Sequence, residues 1–131
     1  NTVRTIAEDA FHSFSAAVLL GFLWSDYGTF GGPAGKKLRT LRLGKRLTPL
    51  RSAGSLEYSF FEKSLVIINN DSRTHVASVP ACRAFCHARL KNLLDEKETS
   101  LEGEAYHLSL PAQTGRIYIA GDILRFNNRT R

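Results

Sequence analysis

Residues 80–94 read PACRAFCHARLKNLL, and whether they coil into a helix decides how many helices cover the protein's strands. Pro80 suits the first position of a helix, where its missing N–H costs nothing. Cys82, Phe85, Cys86, Leu90, Leu93 and Leu94 then fall on one apolar stripe, with Arg83, His87, Arg89 and Lys91 outside it or at its edge. The spacing predicts a helix.

Moving outward, a related pattern stands near the start of the chain. Asp9 offers an N-cap for a helix from Ala10 to about Trp24, with Phe11, Phe14, Val18 and Phe22 at helical spacing and Leu19, Leu20 and Leu23 widening the face. A shift of 71 positions lays Phe14 on Phe85, Ala17 on Ala88, Leu19 on Leu90 and Leu23 on Leu94. Each helix follows a short strand-like run, Arg4-Thr5-Ile6-Ala7 and Arg73-Thr74-His75-Val76-Ala77. These agreements predict two strand–helix repeats in one domain spanning residues 1–131. The units are 36–95 and 103–131 plus 1–24, in rotated order. The expected class is α+β, an antiparallel sheet backed by two helices.

The strands come from alternation and turn residues. Leu56, Tyr58 and Phe60 alternate with Glu57, Ser59 and Phe61, and residues 64–68 are a buried-looking run. Asn69-Asn70-Asp71 is a turn, followed by a strand over 73–79. Residues 95–104 read as an acidic, solvated connector, with strands near 104–110 and 115–126. Gly28 to Gly35 make a loop. Lys37–Leu43 and Arg46–Leu50 read as a hairpin around Gly44-Lys45, where glycine can open a type II′ turn.

The charge is concentrated in that hairpin. The 131 residues carry a formal net charge of +6, from 18 Lys and Arg against 12 Asp and Glu. Lys36, Lys37, Arg39, Arg42, Lys45, Arg46 and Arg51 sit in one acid-free segment of charge +7, leaving 11 basic and 12 acidic residues elsewhere. Edge protection of a hairpin uses lysines too, but seven charges without a local acid point to a polyanion. Tyr58, Tyr106 and Tyr118 on the strands could stack unpaired bases, since a phenol tolerates a half-wet surface.

Other chemistries find little footing. His12, His75, His87 and His107 are scattered, and Cys86 and His87 are neighbours that would point apart on a helix. A His75/His107 acid–base pair on neighbouring strands is the nearest approach to a catalytic arrangement. No glycine-rich loop opens a helix. Two cysteines four apart on a helix suit reduced thiols and an intracellular compartment. The sequons at Asn70 and Asn128 would instead mark a secreted protein. The run Ala10–Trp24 is too short to span a bilayer and lacks a basic leader. No enzyme, cofactor, metal or membrane is expected.

Tyr106-His107-Leu108-Ser109-Leu110, a four-residue turn and Gly115-Arg116-Ile117-Tyr118-Ile119 resemble the Pur-alpha repeat. The repeated order of strands then helix is also similar to the Whirly proteins and the kinetoplastid mitochondrial guide-RNA-binding proteins. That resemblance implies a curved antiparallel sheet backed by helices, an oligomer, and contacts to single-stranded RNA or DNA through Tyr106, Arg116 and Tyr118. It also implies an organellar, mitochondrial setting. Pro111, the short turn and the rotated order depart from the Pur pattern, and Gly35-Lys36-Lys37-Leu38 only echoes the Whirly signature.

The leading expectation is a non-enzymatic module that binds single-stranded nucleic acid, RNA first. Lys36, Lys37, Arg39, Arg42, Lys45, Arg46 and Arg51 would hold phosphates. One alternative is an assembly subunit of a ribonucleoprotein, docking through the basic segment and the apolar N-terminal helix. Another is a secreted, glycosylated β-rich ligand.

Overall fold

The computed structural model describes residues 6–21, 36–38, 41–85 and 88–121. Among these, helix α1 (Ile6–Leu20) precedes eight strands. They are β1 (Arg51–Ala53), β2 (Leu56–Phe60), β3 (Ser64–Asn69), β4 (His75–Pro80), β5 (Leu90–Asn92), β6 (Glu98–Thr99), β7 (Ala105–Leu110) and β8 (Thr114–Ala120). An antiparallel six-stranded sheet has the order β1-β2-β3-β8-β5-β6, and β4 pairs with β7 in a separate two-stranded sheet.

Three layers result. The two sheets enclose Leu56, Tyr58, Phe60, Leu65, Ile67, Val79, Phe85, Leu90, Leu108 and Leu110. On the other face of the large sheet, Ala10, Phe11, Phe14 and Leu19 of α1 pack with Leu38, Phe61, Val66, Ile68 and Ile117. Covered on both sides, β3 is buried at every position. β7 lies in an outer layer and alternates buried with exposed from Tyr106 onward, as a one-sided strand must.

Helix α1 carries Glu8 and Asp9 in its first turn, where negative charge opposes the positive end of the dipole. Asp9 is therefore inside the helix and not its N-cap. At the other end Gly21 adopts φ 81°, and its N–H donates to the Val18 carbonyl at 3.1 Å, a left-handed cap that favours glycine.

Residues 80–94 are not the expected helix. Pro80 is the last residue of β4, opposite Ala105, and a single 3₁₀ turn covers Arg83–Phe85. Ala88, Leu90 and Asn92 are then buried while Arg89 and Lys91 are exposed, an alternation of period two. The apolar residues satisfy both periods. Pairing with β8, Leu90 opposite Ala120 and Asn92 opposite Tyr118, selects the strand. With that helix gone the 71-residue repeat dissolves. The α+β class of a curved sheet backed by two helices gives way to a mainly β, three-layer arrangement with α1 on one face. Cys86 and His87 lie outside the described residues.

The basic hairpin is also displaced. Residues 36–38 are helical, residues 41–44 belong to no strand, and Arg46 makes only an isolated bridge to Phe61. The hairpin that does form joins β1 to β2, with Ala53 opposite Leu56. Its loop is Gly54-Ser55 with Gly54 at φ 62°. Gly44 does take a positive φ of 78°, but the two-residue hairpin loop forms at Gly54, because β1 has β2 as its partner strand. The N-terminal strand is corrected at its described end, since Ile6 and Ala7 belong to α1, and the connector contains β6.

Candidate functional site

The cations of the basic segment serve different ends. Arg46 donates to the Val18 carbonyl at 2.8 Å and the Leu19 carbonyl at 3.0 Å, and its guanidinium sits 5.2 Å from the centre of the Phe61 ring. It caps the C-terminus of α1, where positive charge complements the dipole. Lys37 Nζ donates to the Leu93 carbonyl at 3.1 Å and lies 3.8 Å from Glu96. Arg42 donates to the adjacent Leu41 carbonyl at 3.2 Å. The Lys45 backbone N–H donates to Glu62 Oε1 at 2.8 Å. Lys36, Lys45 and Arg51 are exposed, and Arg39 lies outside the described residues. These cations do not share one face of a hairpin.

The tyrosines expected to stack bases are core residues. Tyr58, Tyr106 and Tyr118 are 3%, 0% and 5% exposed, which leaves no ring face open to a base. Tyr106 donates to the Ala88 carbonyl at 2.7 Å, with the Phe85 carbonyl at 3.1 Å. It thereby ties the crossover between the sheets to β7. Burial pushes the Tyr118 phenol up to about 12. Arg116 is buried as well, donating to the Gly115 carbonyl at 3.0 Å with Glu8 at 3.9 Å. The expected base stacking has no counterpart among these residues, because Tyr58 and Tyr118 lie in the large sheet, covered on both faces, and Tyr106 faces inward from the small sheet.

The histidines make no acid–base pair. His75 lies opposite Leu110 and His107 opposite Ser78, so the two are three positions apart on opposite faces of the small sheet. His75 Nε2 meets Asp71 Oδ2 at 2.6 Å. That hydrogen bond, with one from the Ser72 backbone, holds the Asp71 carboxyl below the usual range. His107 Nδ1 contacts Ser78 Oγ at 2.7 Å and His12 Nε2 contacts Asn70 Oδ1 at 2.9 Å. Among the described residues, no group of His, Cys, Asp and Glu is arranged to hold a metal ion, and no helix is long and apolar enough to cross a membrane.

An open groove of about 500 Å³ instead lies where the segment before β1 faces the crossover from β4 to β5. Leu47, Thr48, Arg51, Ala81, Cys82, Arg83 and Ala84 line it. Thr48 is fixed through both side chain and backbone, since its Oγ1 accepts from the Phe60 N–H at 3.0 Å and its carbonyl accepts from Ser59 Oγ at 2.6 Å. Burial pushes the Cys82 thiol up, against the opposing pull of the Ala84 and Phe85 N–H groups and of Arg51. Sequence reasoning assigned Arg51 to a binding surface but placed Arg83 on the outside of a helix.

No protein-family model matches the chain, and no curated protein matches it in sequence. Solved structures do match in fold. The chain is similar to a GH30 endoxylanase from Clostridium papyrosolvens, with a TM-score of 0.56 and 14% identity, over 88% of this chain and 38% of that one. An Anoxybacillus α-amylase matches with a TM-score of 0.46 and 20% identity over 66% of this chain and 20% of that one. An α-amylase from Geobacillus thermoleovorans, complexed with acarbose, matches with a TM-score of 0.42 and 16% identity, over 65% and 19% of the two chains. The endoxylanase match overturns the sheet backed by two helices. It also corrects the expectation of a non-enzyme. That expectation rested on missing catalytic motifs, yet the fold occurs as part of an enzyme chain, so their absence here does not separate this protein from enzymes.

Proposed function

We propose that this chain is the β-sandwich portion of a glycoside hydrolase. The observation that supports the reading is the fold likeness over 88% of the chain to a 38% portion of an endoxylanase. Glycoside hydrolysis needs two carboxyl groups flanking the scissile bond, so the reading is tested at the level of the reaction. The full-length protein, incubated separately with xylan and with soluble starch, is expected to release new reducing ends in proportion to its concentration. No release from either polysaccharide overturns the proposal.

A second reading, binding of single-stranded RNA or DNA, draws support from the exposed Arg42, Lys45 and Arg51 in a segment without acids. With the tyrosines buried, such binding would rest on phosphate contacts alone. Its affinity would then fall with salt, with a slope of about −0.7 per neutralised phosphate. Oligonucleotide titrations at several salt concentrations that show no salt-dependent binding remove this reading.

A further inference from the structure

Among the described residues, two arginines line the groove before β1, Arg51 at the start of that strand and Arg83 at the start of the 3₁₀ turn, and no acidic residue does. Three other arginines have partners. Arg46 holds two carbonyls, Arg89 meets Glu98 at 3.4 Å, and Arg116 holds a carbonyl with Glu8 nearby. Neither the Arg51 nor the Arg83 side chain has a hydrogen bond or ion pair among the described residues.

Two like charges lining one groove repel, and an anion between them relieves that repulsion. Guanidinium groups present donor forks that match carboxylate and phosphate oxygens in pairs. The remaining lining is mostly apolar, from Leu47, Ala81 and Ala84, and suits the carbon body of a ligand. A volume of about 500 Å³ lies within the range of small-molecule sites. We propose that this groove binds a small oxyanion-bearing ligand of monosaccharide size, a sugar acid or sugar phosphate, with Arg51 and Arg83 gripping the anion. The inference rests on the groove alone and stands or falls apart from the hydrolase reading.

The test is a calorimetric titration of the protein at low salt with glucuronate, glucose 6-phosphate, inorganic phosphate and glucose. Saturable binding of at least one charged sugar is expected, about tenfold tighter than glucose or inorganic phosphate. Arg51→Gln and Arg83→Gln should each weaken it about fivefold or more. Arg73→Gln, at an exposed position outside the groove, should leave it unchanged, and thermal melts establish that every variant is folded. Absence of saturable binding overturns the proposal. So does equal binding of glucose, binding of inorganic phosphate as tight as that of the sugars, or an equal loss in Arg73→Gln.

Discussion

The two faces of the large sheet are packed by different rules, and strand β8 contributes to both. Toward the small sheet it sends Tyr118 and Ala120, and toward α1 it sends Ile117. Between sheets the gap is about 10 Å and must be filled by long side chains. Aromatic rings do this, with Phe60 and Phe85 at 4.8 Å and 62°, and Tyr58 and Phe60 at 5.9 Å and 85°. At one position, Gly115, the helix face instead demands an absence of side chain. A Cβ on Gly115 would stand 2.6 Å from the Ser15 side chain and 2.7 Å from the Phe11 carbonyl oxygen. What a strand position tolerates is set by the layer lying over it.

Phe85→Ala should show the largest effect, because it empties the sheet-to-sheet gap of a fully buried ring. A loss of about 3–5 kcal/mol is expected, read as a lower urea midpoint with an unchanged slope. A loss below about 1 kcal/mol would mean that this face collapses as freely as a surface.

Tyr118 tests the same face by pH. Its folded pKa of about 12 exceeds the ordinary value near 10. The phenol's contribution is therefore complete below about pH 10 and is lost as pH rises through the folded value, by about 2–3 kcal/mol. Urea unfolding of Tyr118→Phe between those pH values should fall less steeply than that of the parent protein.

On the helix face, Gly115→Ala is expected to cost about 2 kcal/mol by overpacking. Equal stability of parent and variant in urea would break the contrast between the faces. Arg46→Met should have the smallest effect, about 1 kcal/mol, from its dipole and ring contacts at the end of α1. Helical circular dichroism during a thermal ramp would register it as earlier melting.

Much of the sheet was legible. Alternation placed β2, strands were expected over 73–79 and 104–110 where β4 and β7 lie, and the turn residues Asn69-Asn70-Asp71 bounded β3 closely. The apolar run over 64–68 also held a clue to the architecture, since a strand with no polar side must be covered on both faces. Given two covers, Tyr58 and Tyr118 have no wet face to occupy, while Tyr106 is buried on the inward side of one-sided β7. Residues 80–94 were illegible for a different reason. Leu90 fits a helical stripe and a strand alternation alike, and only Ala120, thirty positions away, chooses. The site was less readable still. Arg46 and Arg51 are both basic residues of one segment, yet one caps a helix and the other lines a groove. That difference depends on where the carbonyls of Val18 and Leu19 arrive in space.

The place of β8 between β3 and β5 also has a consequence in time. It is the last strand in chain order among the described residues, yet it fills the middle of the sheet. During synthesis β3, buried at every position in the finished fold, must wait with an unpaired edge until residue 120 has left the ribosome. Such an edge is a template for pairing with another chain, and non-local pairing of this kind is slow. A nascent chain stalled before residue 114 would therefore be expected to aggregate where the completed one folds.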